Sequence, residues 1–299
     1  MTGIAIGLLV LSAMVHAGWN LLGKQRNPTA GFFLLANILG TCLVTPILLW
    51  DVSLLCAVPA RVWILLAMTG IAQAVYMTAL AGAYRKTDMS IVYPLARSYP
   101  VLVVLAVSFL LGRRDQISPL CVTGIVLLVA GGFLLPKRTF GDFHWRDYVH
   151  AGSLLALLAA FGSAGYSLCD DEALRILRSR FEPSSSRVHI ALLYDALEGW
   201  ASSIALAAFV LCSASRRREL RDDLRTGFLQ AFVMGAAIYF AYALVLIAMG
   251  FARNISYVVA FRLLGIPIGA LLGIFVLKES RPAPKLCGVG LMFVGLVLV

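Results

Sequence analysis

The sequence predicts an all-α integral membrane protein, with ten transmembrane helices forming two inverted five-helix repeats around a central cavity. Three observations predict it. The chain is 61% hydrophobic and only 13% charged, against roughly 45–50% and about 25% in a soluble domain. Ten apolar runs of about membrane-crossing length follow one another. The landmarks of the first half recur in the second.

A helix rises about 1.5 Å per residue and the hydrocarbon layer is about 30 Å thick, so each span needs roughly 20 apolar residues. Runs of that kind cover 3–22, 30–50, 62–84, 89–111, 118–136, 148–168, 190–213, 228–250, 255–277 and 283–299. Between them lie residues that helices dislike or lipid rejects: Asn27-Pro28, Arg113-Arg114-Asp115, Pro136-Lys137-Arg138 and the stretch from Arg216 to Arg225. The runs are apolar on all sides. A transmembrane barrel would alternate apolar and polar residues with period two.

At an offset of 166, Tyr76 falls on Tyr242, Ser90 on Ser256, Leu111 on Leu277, Cys121 on Cys287 and Gly124 on Gly290. At an offset of 147, Ala17-Gly18-Trp19 falls on Ala164-Gly165-Tyr166. The shared order of these features says more than any single pair. It divides the chain into a first repeat at 1–138 and a second at 139–299. Five helices per repeat force opposite orientations across the bilayer, a plan that places a ligand site where the repeats meet near the midplane.

The net charge of +10 raises the question of nucleic acid, but the basic residues sit in short clusters between apolar runs and form no continuous face. Loop charges that orient a membrane protein account for them. Loops after odd-numbered runs hold 15 Lys and Arg, and loops after even-numbered runs hold 8. The positive-inside rule therefore expects both termini outside the cytoplasm and the loop from Ser213 to Arg225 inside. The six cysteines are scattered singly without Cys-x-x-Cys spacing and read as small packing residues. No basic residue precedes the first run, so it is expected to be a helix of the mature protein.

Ionisable side chains inside a span are costly and are functional candidates by default. Arg97 lies about eight residues into the fourth run and Arg262 about eight into the ninth, within one residue of repeat equivalence. A guanidinium fork there suits a carboxylate or phosphate; the alternative is a structural pair with Asp195 or Glu198. Those two acids, three apart in the seventh run, share a helix face. Glu198 is deep enough to hold a coupling proton, and a structural counter-charge is the other reading. His16, Trp19 and Asn20 form a polar and aromatic patch on the first helix, matched by Ser163, Tyr166 and Ser167 on the sixth. With Tyr76 and Tyr93 from one half and Tyr239 and Tyr242 from the other, they would line a cavity for an amphipathic ligand. Interfacial anchoring is the competing role for such aromatics. Gly265, Gly269 and Gly273 read as a packing stripe, and Pro94, Pro100 and Pro267 as kinks beside the arginines. No Ser-His-Asp order, metal-spaced histidine cluster or phosphate-binding glycine loop occurs. No enzyme activity, cofactor, metal or nucleic-acid partner is expected.

The stretch His16-Ala17-Gly18-Trp19-Asn20-Leu21-Leu22, with Tyr84-Arg85-Lys86-Thr87-Asp88 and Ser90-Ile91-Val92-Tyr93-Pro94-Leu95-Ala96-Arg97, resembles the EamA-type members of the drug/metabolite transporter superfamily. Leu277-Lys278-Glu279-Ser280 is similar to the Gly-Glu-Arg turn that precedes the last helix of each repeat in that family. The first half departs at the same turn, with Gly112-Arg113-Arg114. The resemblance spans essentially the whole chain. It implies a ten-helix secondary transporter with a central cavity, an exporter of amino acids or similar carboxylate-bearing metabolites, with the aromatic amino-acid exporters as the first analogy. It also implies a multi-pass protein of a cell membrane of the bacterial inner-membrane kind, monomeric, with protons as a candidate coupling ion. A passive channel or helical scaffold, and a membrane-embedded enzyme, are the other readings. The paired halves favour the transporter, since alternating access needs two bundles rocking about one site.

Overall fold

The computed structural model of the chain describes residues 2–24, 29–50, 52–86, 89–134, 137, 139–141, 151–182, 185–268, 271 and 282–299, and leaves aside the side chains of 20–24, 84, 89–95, 97 and 114. Among the described residues every regular element is helical. The order is α1 (Gly3–Lys24), α2 (Ala30–Val44), α3 (Pro46–Trp50), α4 (Val52–Cys56), α5 (Ala60–Lys86), α6 (Met89–Leu110), a 3₁₀ turn (Arg114–Gln116), α7 (Pro119–Leu134), α8 (Ala151–Phe181), α9 (Arg187–Leu211), α10 (Ala214–Thr226), α11 (Phe228–Met249), α12 (Ile255–Arg262) and α13 (Ala283–Leu298). Five helical stretches are long and apolar enough to cross a membrane: Ala30–Trp50, Ala60–Ala83, Ala151–Phe181, Arg187–Leu211 and Phe228–Met249. Gly3–Trp19, Ser98–Leu110, Pro119–Leu134, Ile255–Ile268 and Ala283–Leu298 are apolar but shorter. The outer surface is apolar too, with Trp50, Leu110 and Val297 each at least 85% exposed. Water would reject such a surface, and lipid is its natural solvent.

In three places the folded chain differs from the expected runs and breaks. The second run is interrupted at Thr45, where Pro46 starts the short α3 because it has no N–H to offer the preceding turn. The sixth run was expected to end at 168, but α8 continues to Phe181. Its buried stripe of Asp170, Ala173, Leu174, Leu177 and Phe181 keeps helical spacing. The basic stretch from Arg216 to Arg225, expected as a break, is the helix α10, none of whose residues is buried. It is tied down by Thr29 Oγ1 donating to Asp223 Oδ2 at 2.6 Å and by the Arg85–Glu219 ion pair at 3.2 Å.

The helices cross in antiparallel pairs. Between α1 and α11, Thr2 Oγ1 donates to Phe251 O and Ser12 Oγ to Ala241 O, so one chain climbs as the other descends. Between α5 and α8, Gly162 lies against Ala72 and Tyr76, while Thr69 meets Asp170. Glycines let α7 and α13 touch backbone to backbone: a Cβ on Gly131 would sit 2.6 Å from Gly288 O, and one on Gly295 2.6 Å from Gly124 O. The helices α5 and α9, α2 and α11, α6 and α8, α1 and α12, α2 and α9, and α6 and α12 also pack together.

Candidate functional site

A cavity, part of it open to the outside, lies among α1, α2, α5, α8, α9, α11 and α12. One wall is aromatic. The Tyr166 ring on α8 stands edge-on to Tyr76 of α5 at 5.9 Å between centroids and to Tyr242 of α11 at 5.8 Å. Opposed edges and faces of this kind hold rings rigidly while leaving their polar tips usable. On α1, Trp19 Nε1 donates to His16 Nδ1 at 3.1 Å, one turn apart, with the rings perpendicular at 4.5 Å. That bond fixes the histidine's orientation toward the cavity it lines.

Arg262 enters at a break in its helix. Residues 263 and 264 close the last turn of α12 with short-range bonds, Leu263 N to Ala260 O and Leu264 N to Phe261 O. Pro267 cannot donate to the Leu263 carbonyl, and Ile266 N bonds it instead. The guanidinium donates to Tyr166 OH at 3.1 Å and Ser167 Oγ at 3.4 Å, and lies 5.3 Å from the centre of the Tyr242 ring. Cation–π contact and neutral acceptors hold the charge in place inside the bundle.

The cavity also has an acidic pole. Glu198 of α9 lines the cavity, is 1% exposed, and accepts at Oε1 from the Gln73 amide of α5. Its Oε2 has no hydrogen-bond partner among the described residues. One turn away Asp195 is fully buried, and neither of its oxygens has a partner among them. Behind the tyrosine wall Asp170 of α8, also fully buried, accepts at Oδ1 from Thr69 and Tyr194, each at 2.8 Å, and at Oδ2 from Tyr242. Asp170 thereby pins α5, α9 and α11 to one point. Arg262 is within electrostatic reach of both Asp170 and Glu198. A third polar cluster closes the cavity beside α2. Asn37 donates to Ser202 and Ser203 at 2.9 Å, and accepts from Tyr239 OH at 3.0 Å, which in turn accepts from Thr41.

Of the residues singled out by sequence, the cavity brings together His16, Trp19, Tyr76, Tyr166, Tyr239, Tyr242, Arg262 and Glu198. Ser163 stands behind the wall and donates to Tyr166 OH at 3.2 Å, and Ser167 supports Arg262. Asp195 is buried on α9 without reaching the lining. Gly265 faces Ala13 and His16, whereas Gly269 and Gly273 lie outside the described residues, as do the side chains of Asn20, Tyr93, Pro94 and Arg97. Both Pro94 and Pro100 fall within the continuous helix α6. Sequence reasoning missed Gln73, Asn37 and Asp170. The first two are uncharged amides inside apolar runs, and a search that counted polar as well as ionisable residues in spans would have found them. Asp170 sat just past the expected end of the sixth run.

No protein-family model matches the chain, and no curated protein sequence does. A solved crystal structure superposes on it with a TM-score of 0.66 at 16% identity, covering 100% of this chain and 96% of the other. At that identity the likeness is one of fold, and the fold is shared from end to end.

Proposed function

We propose that the protein is a secondary transporter that moves amino acids or similar small carboxylate-bearing metabolites outward across a cell membrane, as the resemblance to EamA-type transporters implies. The observation that carries this reading is Arg262, a guanidinium held at a helix break on the wall of a cavity lined by tyrosines. A planar fork of N–H donors in a low-dielectric site suits a carboxylate, and the surrounding rings suit an apolar side chain.

Alternating access further requires two equivalent bundles. Exchanging repeats 1–138 and 139–299 maps α1 on α8, α2 on α9, α5 on α11, α6 on α12 and α7 on α13. Several of the helix contacts are compatible with that exchange. The α5–α8 contact is matched by α1–α11, α5–α9 by α2–α11, and α6–α8 by α1–α12, while α2–α9, α6–α12 and α7–α13 join each helix to its own mate. The antiparallel glycine contacts of α7 and α13 are what an inverted pair would make. In this reading the five membrane-length helices and the five shorter apolar ones would make up the ten spans, and an inverted-repeat transporter would hold its substrate where the halves meet.

Purified protein in liposomes loaded with a radiolabelled amino-acid panel tests this directly. Counterflow of at least one carboxylate-bearing solute is expected. A general leak that ignores solute identity would point to a channel, and no flux of any solute would refute transport. Single-cysteine variants in the Ser213–Arg225 segment should react with an impermeant thiol reagent only from the cytoplasmic side. Labelling from outside intact cells would reverse the orientation.

A further inference from the structure

The transporter reading leaves the acidic pole of the cavity without a task. Glu198 reaches the cavity with one oxygen bound by Gln73 and the other without a partner among the described residues, although the side chain is 99% covered. Asp195, one turn away, has two such oxygens. Together with Asp170 these are three buried carboxyls in mutual electrostatic reach, opposite a single described guanidinium, Arg262. Their oxygens do not come together as the ligands of a metal ion among the described residues. Uncompensated buried charge is costly, and among the described residues Arg262 is the one cation within electrostatic reach of Glu198, so added positive charge would stabilise the carboxylate. Two sources fit an unpartnered oxygen on a cavity wall: a proton, or the cationic group of a ligand.

We infer that the cavity recognises a zwitterion at two poles, its carboxylate on Arg262 and its primary ammonium on Glu198, and that the ammonium and a proton exclude one another at Glu198. The inference rests on the transporter reading and narrows its substrate to molecules carrying both groups. In the empty cavity Glu198 is a neutral acid. When the ligand enters, the carboxyl O–H bond breaks, the proton leaves to water, and the carboxylate accepts an N–H···O bond from the ammonium. At Glu198 one cation replaces another, and the ligand's carboxylate neutralises Arg262, so the net charge of the pocket falls by one as the proton leaves. Substrate leaving on one side is therefore followed by a proton, and the two cross in opposite directions. Asp195, buried behind Glu198, keeps the environment acidic without touching the ligand. Among the described residues the other titratable or charged groups around Glu198 are His16 from α1, Tyr76 from α5, Asp170 and Tyr166 from α8, Tyr194 on its own helix, Tyr239 and Tyr242 from α11, and Arg262 from α12. On α2 the cavity meets Phe33 and Asn37, neither of which titrates.

The test uses the purified full chain near neutral pH in weak buffer with a pH-reporting dye. The probes are L-phenylalanine, 3-phenylpropionate, which lacks the ammonium, and phenethylamine, which lacks the carboxylate. Phenylalanine should bind with release of about one proton, and each truncated probe should bind about tenfold more weakly or worse. Glu198→Gln, nearly isosteric with the neutral acid, should fold, release no proton, and bind phenylalanine no better than phenylpropionate. Glu198→Asp should restore the release, and it keeps the test open if the Gln variant fails to fold. Absence of proton release from the wild-type protein overturns the inference. So does release that survives Glu198→Gln but vanishes in His16→Gln, which would assign the proton to the histidine. Counterflow of phenylpropionate equal to that of phenylalanine, with no proton movement, sinks the zwitterion while leaving the transporter intact. Flux of no solute at all sinks both.

Discussion

Asp170 and Asp171 are adjacent on α8, about 100° apart around the helix, and the protein accommodates them in two different ways. Asp170 faces inward, is fully buried, and is held by the hydroxyls of Thr69, Tyr194 and Tyr242. Asp171 faces the rim and pairs with Arg113 at 3.2 Å and Arg175 at 3.0 Å, while its neighbour Glu172 pairs with Arg113 and Arg61. Inside, three hydroxyls from three helices converge on one carboxyl. Outside, charges meet charges, with Arg61 70% exposed. The difference shows where each kind of polar interaction matters. Neutral donors fixed by packing organise the interior around the cavity, whereas the ion pairs run outward from Asp171 and Glu172 to arginines that water partly screens.

The largest effect expected from breaking this contrast is at Asp170. Replacing it with Ala leaves three buried hydroxyls without their acceptor, and each orphaned polar group costs about 1–3 kcal/mol. Asp170→Ala should therefore lower the thermal midpoint of the purified protein by the equivalent of about 3 kcal/mol or more. Asp170→Asn keeps an acceptor oxygen and should lose less than half as much. Equal stability of the Ala variant and the wild type would mean that the hydroxyl cluster does not organise the three helices.

Next in size is Arg262→Lys. The ammonium retains the charge but not the planar fork, and it loses the stacked position over Tyr242. Transport of a carboxylate-bearing solute should weaken about tenfold, measured as an increase in half-saturation, with the midpoint of unfolding nearly unchanged. A large loss of stability with unaltered half-saturation would make Arg262 a structural residue of the same kind as the rim arginines.

The same comparison explains what could be read from the sequence. Membrane class and the helical nature of the runs were legible, because apolar length is a local property. Of the cavity, the members on spans with aromatic or ionisable side chains were legible, from His16 and Trp19 to Glu198 and Arg262. Asp170 was not, because Asp170-Asp171-Glu172 followed by Arg175 looks like the polar end of a span. Only the periodic spacing of Leu174, Leu177 and Phe181 behind it marks a helix that continues with one face buried. The α10 helix was hidden for the converse reason: no residue in it is buried, so it has no apolar stripe to show. The partners of Gln73 and Asn37 lie more than a hundred residues away along the chain, and no local pattern announces a contact of that separation.

The smallest effect is expected at the rim, where Arg113 is placed by a turn. Gly112 adopts φ +70°, open to glycine at little cost, and the chain closes α6 with Arg113 N bonding Ser108 O and Gly112 N bonding Phe109 O. That turn aims the guanidinium at α8, where Nη1 meets Asp171 and Nη2 meets Glu172. In this half of the molecule an arginine therefore stands at the turn and the carboxylates come from the facing helix. The Arg113 side chain is 20% exposed and the Glu172 side chain 29%, so solvent screens the pairing and a contribution of about 0.2–1 kcal/mol is expected. Arg113→Ala should lower the unfolding midpoint by an amount that size, and raising the ionic strength should shrink the difference between wild type and variant. The double variant Arg113→Ala/Glu172→Gln should lose little more than either single change, since both delete the same pair. The Asp171 arm should show the larger coupling, because its carboxylate is only 6% exposed. A penalty above about 3 kcal/mol that salt does not reduce would place Arg113 with the buried groups. It would then remove the distinction between a rim held by charge and an interior held by hydroxyls.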